Sequence, residues 1–210
     1  MSKLSNTISH VKAAIRTPRS YFTTFGSGKL TNDLKRWQSS ENLDPDWDER
    51  TALIANIVPV GLNVIEFGAA RLVLRQHLDP SCKYQPADLV KRSEDTLVFD
   101  LNGALPELPC RYDVAVFSGV LEYVHNLERI MAWLPSVAQR VIFSYGVTDF
   151  LSDPITRRQN GWVNHLSEKE ITRLANKAEL ELETNTRWRQ QVIFSGYFLE
   201  KQAGMDRKAL

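Results

Sequence analysis

Cysteine is scarce in this chain, and long apolar runs are missing. Only Cys82 and Cys110 occur among 210 residues. They lack metal-site spacing, so neither a disulfide framework nor a metal centre is predicted, and a reducing cytoplasm is the expected setting. No apolar run is long enough to span a bilayer, and no secretory h-region is visible. A formal net charge of +1 at pH 7 gives no general attraction to nucleic acid or anionic membrane. Internal repeats, a serine–histidine–aspartate arrangement and the G-x-G-x-x-G spacing are also missing. Those absences argue against a solenoid, a hydrolase triad and a dinucleotide site.

What is present reads as one α/β domain with an arm. The stretch from Leu62 to Leu72 organises it. β-Branched apolar residues lead into Glu66, then Gly68 with its small neighbours Ala69 and Ala70, then an apolar helical pattern. A buried parallel strand turning sharply into a helix has this form, and in open α/β sheets such a turn lies at the ligand-binding end. Strand patterns recur over 83–89, 96–99, 112–117 and 141–145. A helix starting from Asp46 as N-cap carries Arg50, Leu53, Ile54 and Ile57 at helical spacing. Another, over 127–137, aligns Leu127, Ile130, Met131 and Leu134. Ser167 and Glu170 form a capping-box pattern. Segments 180–186 and 191–199 alternate as a hairpin would, and 146–163 reads as a long functional or mobile loop.

Residues 1–45 form a basic arm: up to Arg36, Lys3, Lys12, Arg16, Arg19, Lys29, Lys35 and Arg36 face a single acid, Asp33. Tyr21, Phe22, Phe25 and Trp37 give it apolar anchors, which favours a lid over the cleft. A mitochondrial-type presequence shares this composition, and a solvated terminus is the plainest reading. The α/β domain is assigned to 46–202 and a polar tail to 203–210.

Glu66-Phe67-Gly68-Ala69-Ala70-Arg71-Leu72 resembles the first motif of class I S-adenosylmethionine (SAM)-dependent methyltransferases, an acid followed by glycines at alternate positions. Here the second and third glycines are replaced by Ala70 and Leu72. Ser118-Gly119-Val120-Leu121-Glu122-Tyr123-Val124 resembles the same family's loop after the fourth strand. The resemblance spans roughly residues 47 to 200. It implies a Rossmann-like, mostly parallel seven-stranded sheet with an antiparallel strand in the C-terminal hairpin and helices on both faces. It also implies SAM as cofactor. Glu66, Gly68, Ala69 and Ala70 then meet its amino-acid end, Asp88 and Leu89 its ribose, Asp100 and Leu101 its adenine, and Ser118 and Gly119 its sulfur. Asp88 and Asp100 also read as ordinary turn aspartates. SAM carries no phosphate, so its turn need not cradle a polyanion with bare amides.

The activity implied is methyl transfer to a small molecule or a sugar-containing metabolite (a glycan included), at oxygen. No appended reader domain or Asn/Asp-Pro-Pro-aromatic motif points to nucleic acid. Of the four histidines, His165 is the candidate base, with local packing at a helix start as the alternative; Glu122 reads either as catalytic or as structural. Trp37, Tyr145 and Trp162 are candidate walls of the acceptor site. A second reading, motivated by Ala70 and Leu72, is a methyltransferase-like fold without turnover that serves as a partner subunit. Oligomeric state leaves no trace in the sequence.

Overall fold

A computed structural model of the chain describes residues 34–199. The tail and nearly all of the arm therefore lie outside the described residues. The helices are α1 (Leu34–Gln38), α2 (Trp47–Ala55), α3 (Val73–His77), α4 (Leu127–Val137), α5 (Pro154–Gln159) and α6 (Glu168–Lys177). The strands are β1 (Asn63–Phe67), β2 (Lys83–Asp88), β3 (Leu97–Val98), β4 (Tyr112–Phe117), β5 (Ala138–Gly146), β6 (Leu180–Trp188) and β7 (Gln191–Phe198). They make one seven-stranded sheet in the order β3-β2-β1-β4-β5-β7-β6. The first five in that order pair parallel, and β7 runs antiparallel to both β5 and β6. This is the architecture expected from the resemblance.

Strand alternation divides the core between the two faces. On β4, Ala115 and Phe117 face one side, together with Ile130, Met131 and Leu134 of α4 and Ile171 of α6. Val114 and Val116 face the other, with Ile54 of α2 and Leu74 of α3. Each fully buried aliphatic side chain of this kind contributes about 1.5–3 kcal/mol. Phe67, at the tip of β1, stacks on Phe117 with centroids 4.7 Å apart. The parallel strands thus end side by side on a rigid aromatic floor, and strand order reverses between β1 and β4, where such sheets open a crevice.

Some elements depart from the expected pattern. Asp46 has helical backbone angles and makes no side-chain cap; its carboxylate pairs with Arg189 instead. The third strand shrinks to two residues, and β5 starts directly where α4 ends. The loop 146–163 contains α5, capped by Asp153, which accepts from Ile155 and Thr156 backbone N–H groups, with Pro154 in the first turn. The capping box of Ser167 and Glu170 is formed. Among the described residues no helix is long and apolar enough to cross a membrane.

Candidate functional site

At the C-terminal ends of β1, β2 and β4 lies a hollow of about 300 Å³. The turn after β1 is left-handed at alternate positions: φ is 70° at Gly68, 45° at Ala70 and 59° at Leu72. The backbone of a three-glycine turn is therefore kept without the glycines, at roughly 1–2 kcal/mol for each substituted position. Gly68 itself cannot be replaced in place, because a Cβ there would stand 2.4 Å from Val120 Cγ2. The turn is tied down by Gly68 N–H donating to Ala87 O at 2.8 Å.

Ala70 N–H donates to Asp88 Oδ2 at 2.9 Å. Val90 N–H donates to Oδ1 at 2.9 Å, and Arg92 Nε lies 3.3 Å from Oδ2. Arg92 also donates to Trp37 O at 2.9 Å, which links α1 to the tip of β2. Glu66 is 2 % exposed. Burial pushes its carboxyl up to about 8, the Tyr84 hydroxyl that donates to it pulls the other way, and Asp88 adds to the rise. Asp100 Oδ1 accepts from Asn102 N–H at 2.8 Å. Asn102 in turn holds Tyr123 O and His125 N–H, fastening this turn to the loop after β4.

Among the side chains lining the hollow is Arg50, on α2. It is 5 % exposed. It donates to Ser118 Oγ at 3.1 Å, Ser118 O at 3.0 Å and Gln191 Oε1 at 3.1 Å. Its guanidinium lies between Trp47 and Trp188, 5.8 and 5.3 Å from their centroids. Among the described residues no carboxylate lies within ion-pair distance of it. Burial lowers its pKa, with Glu122, Tyr123 and Glu66 opposing at longer range. Sequence reasoning missed this residue as a site residue. The available signal was a charge on the helix stripe it shares with Ile54 and Ile57.

Glu66, Gly68, Ala69, Ala70, Asp88, Leu89, Leu101, Ser118 and Gly119 meet in the wall of the hollow, with Trp37 and Trp162. Asp100, Glu122, Tyr145 and His165 stand outside that wall. Glu122 is fully buried; its Oε1 accepts from Gly146 N–H at 2.8 Å and from Gln191 Nε2 at 3.1 Å, and burial raises its pKa. The Tyr145 hydroxyl donates to Asn164 Oδ1 and accepts from Leu166 N–H. His165 is exposed, and its Nδ1 accepts from Arg157 Nε at 2.9 Å. Partial burial and the charges of Arg157 and Arg158 lower its pKa. Arg36 and Tyr123, neither of them singled out in the sequence, complete the rim beside Trp37.

No protein-family model matches the sequence, and no curated protein matches it. Solved structures do. A candidate O-methyltransferase of Nostoc punctiforme superposes with a TM-score of 0.63 at 13% identity, over 80% of this chain and 61% of that one. The present chain thus spans less than two thirds of that protein. A 1,6-didemethyltoxoflavin N1-methyltransferase of Burkholderia thailandensis, solved with its substrate and S-adenosylhomocysteine, gives 0.57 at 14% identity over 79% and 84%. A SAM-dependent methyltransferase of Aquifex aeolicus gives 0.58 at 11% identity over 78% and 98%. These likenesses define the fold as that of class I, Rossmann-like methyltransferases.

Proposed function

We propose that this chain is a SAM-dependent methyltransferase acting on an oxygen of a small molecule. The observation that carries the cofactor reading is Arg50. A buried cation without a carboxylate is costly, and its cost falls when an anion arrives with matching geometry. The carboxylate of a methionine-like ligand supplies that anion where the tips of β1, β2 and β4 converge. Gln191 and Ser118 hold the guanidinium in place before the ligand arrives, so little ordering is left to the binding step. Glu66 lies on the same wall to receive the ammonium. Asp88 Oδ1 has one protein donor and keeps acceptor capacity for ribose hydroxyls. The bound cofactor supplies a methyl group already activated by a sulfonium, so the protein's task is to position the acceptor and exclude water.

The Burkholderia thailandensis neighbour, which binds 1,6-didemethyltoxoflavin, supports a small-molecule acceptor without fixing the atom methylated. The partner-subunit reading predicts a hollow that takes no cofactor. Calorimetric titration of SAM and S-adenosylhomocysteine into the full chain separates the two. Saturable binding that Arg50→Met and Asp88→Ala both weaken is expected. Absence of binding at millimolar cofactor, or affinity unchanged in both variants, refutes the proposal.

A further inference from the structure

Glu122 is fully buried, yet it stands outside the wall of the hollow. Its contacts lead back to that wall. Gly146, at the end of β5, is paired with Gln191, the first residue of β7. Glu122 Oε1 accepts from both, from Gly146 N–H at 2.8 Å and from Gln191 Nε2 at 3.1 Å. Its other oxygen, Oε2, has no hydrogen-bond partner among the described residues. Burial raises the pKa of this carboxyl. A proton it takes up therefore goes to Oε2, and Oε1 remains an acceptor in either protonation state.

This arrangement fixes the Gln191 amide. With its nitrogen turned to Glu122, its oxygen faces Arg50 Nη1 at 3.1 Å. Arginine can only donate, so the guanidinium enforces the same orientation from the other side. A reversed amide would set donor against donor, which is costly where water is excluded. Glu122, Gln191 and Arg50 thus form a buried chain of hydrogen bonds with a single polarity.

Arg50 is held from its other sides as well. Ser118 accepts from Nε and Nη2, and Thr51 Oγ1 lies 2.8 Å from Ser118 Oγ. Gly119 makes room for the guanidinium: a Cβ there would stand 2.4 Å from Nη1 and 2.6 Å from Cζ. These bonds use one N–H on each nitrogen, and Nη1 and Nη2 each carry a second. Because the guanidinium is a rigid plane, the bond to Gln191 also sets where the second N–H of Nη1 points.

We propose that Glu122 is a positioning residue for the cofactor: through Gln191 it sets the direction in which Arg50 offers its guanidinium to the ligand carboxylate. This rests on the cofactor reading above. The role needs no charge on Glu122, only an acceptor at Oε1. Glu122→Gln keeps that acceptor, with an NH2 group where Oε2 stands, whereas Glu122→Met removes it.

The test titrates S-adenosylhomocysteine calorimetrically into the full chain and its variants. Glu122→Met and Gln191→Met are each expected to weaken it about tenfold, and Glu122→Gln to hold wild-type affinity within about threefold. Added to Arg50→Met, Glu122→Met should cause no further loss, because its effect passes through Arg50. 5′-Methylthioadenosine keeps the nucleoside and sulfur but lacks the amino-acid end, and should bind wild type and Glu122→Met alike. The proposal is overturned by unchanged S-adenosylhomocysteine affinity in Glu122→Met or Gln191→Met, or by additive losses in the double variant. It is equally overturned if Glu122→Gln is as damaging as Glu122→Met, or if methylthioadenosine loses as much affinity as S-adenosylhomocysteine. Should Glu122→Met not fold, Gln191→Met, alone and with Arg50→Met, decides by the same comparison, since it cuts the chain while leaving Glu122 on Gly146. Weakened binding in Arg50→Met beside any overturning result sinks this inference alone. Failure of S-adenosylhomocysteine to bind wild type removes the cofactor reading and this inference together.

Discussion

Arg50 and Arg157 are both buried, both stacked on tryptophan, and both without an ion-pair carboxylate among the described residues. Their surroundings nonetheless assign them opposite work. Arg157 is 1 % exposed and donates to Leu151 O, Asn164 O and His165 Nδ1. Each of its three nitrogens donates to an acceptor flanking α5, which closes that segment onto itself. Arg50 also donates through all three nitrogens, to Ser118 and Gln191, but it lines the wall of a hollow. Burial of a charge thus says little by itself; what decides the role is whether the neighbouring acceptors belong to a closed wall or to an open one.

The sharpest way to break this comparison is Arg157→Met. It strands Leu151 O and Asn164 O, and an expected loss of about 3 kcal/mol should appear in urea unfolding, with cofactor affinity unchanged. Next in size, Arg50→Met should weaken SAM about a hundredfold by calorimetry, near 2.7 kcal/mol, while unfolding stability holds or rises because a buried charge has gone. If the two variants exchange phenotypes, the distinction between staple and receptor is wrong.

Glu66→Gln sharpens it at the level of protons. Native Glu66 keeps its proton up to about 8, whereas an unfolded glutamate releases it in the ordinary carboxylate range. Its contribution to stability is therefore fully present below that range and is lost as pH rises through the native value. Wild-type stability should fall by about 2 kcal/mol more than that of Glu66→Gln between about pH 5 and about pH 6.5. A parallel fall in both proteins would show that Glu66 does not titrate this way. The smallest effects belong to Ala70→Gly and Leu72→Gly, each expected to raise stability by about 0.5–1 kcal/mol in thermal unfolding by relieving a left-handed residue. A loss in either would mean that the side chain's packing outweighs the backbone's preference.

The sheet was legible because its central strands, β1 and β4, are apolar on both faces, and because β1 and β2 run into acids at their ends. α4 was legible from one stripe, Leu127, Ile130, Met131 and Leu134, and α6 from its cap. α5 was not, although Asp153 and Pro154 mark its start; it is only six residues long and turns Arg157 inward where a stripe would show an apolar residue. Asp46 looked like a cap by local chemistry alone, and the tertiary pair with Arg189 took its carboxylate. The wall of the hollow could be traced from motif spacing, since Glu66, Gly68, Asp88 and Ser118 stand at strand ends. Arg50 and Gln191 could not, because they lie 141 positions apart and meet only after the hairpin folds back. His165 drew attention by its place in the chain, and only the fold reveals that Arg157 holds its nitrogen.

The turn after β1 bears on how such loops are recognised at all. Its handedness at Ala70 and Leu72 is imposed from outside, by the strand that enters and by Asp88 gripping an amide, and not by freedom at the residues themselves. A pattern search that counts glycines measures permission, whereas the loop here is shaped by constraint. Chains that have traded the one for the other drift out of reach of letter-based comparison while their backbones still superpose.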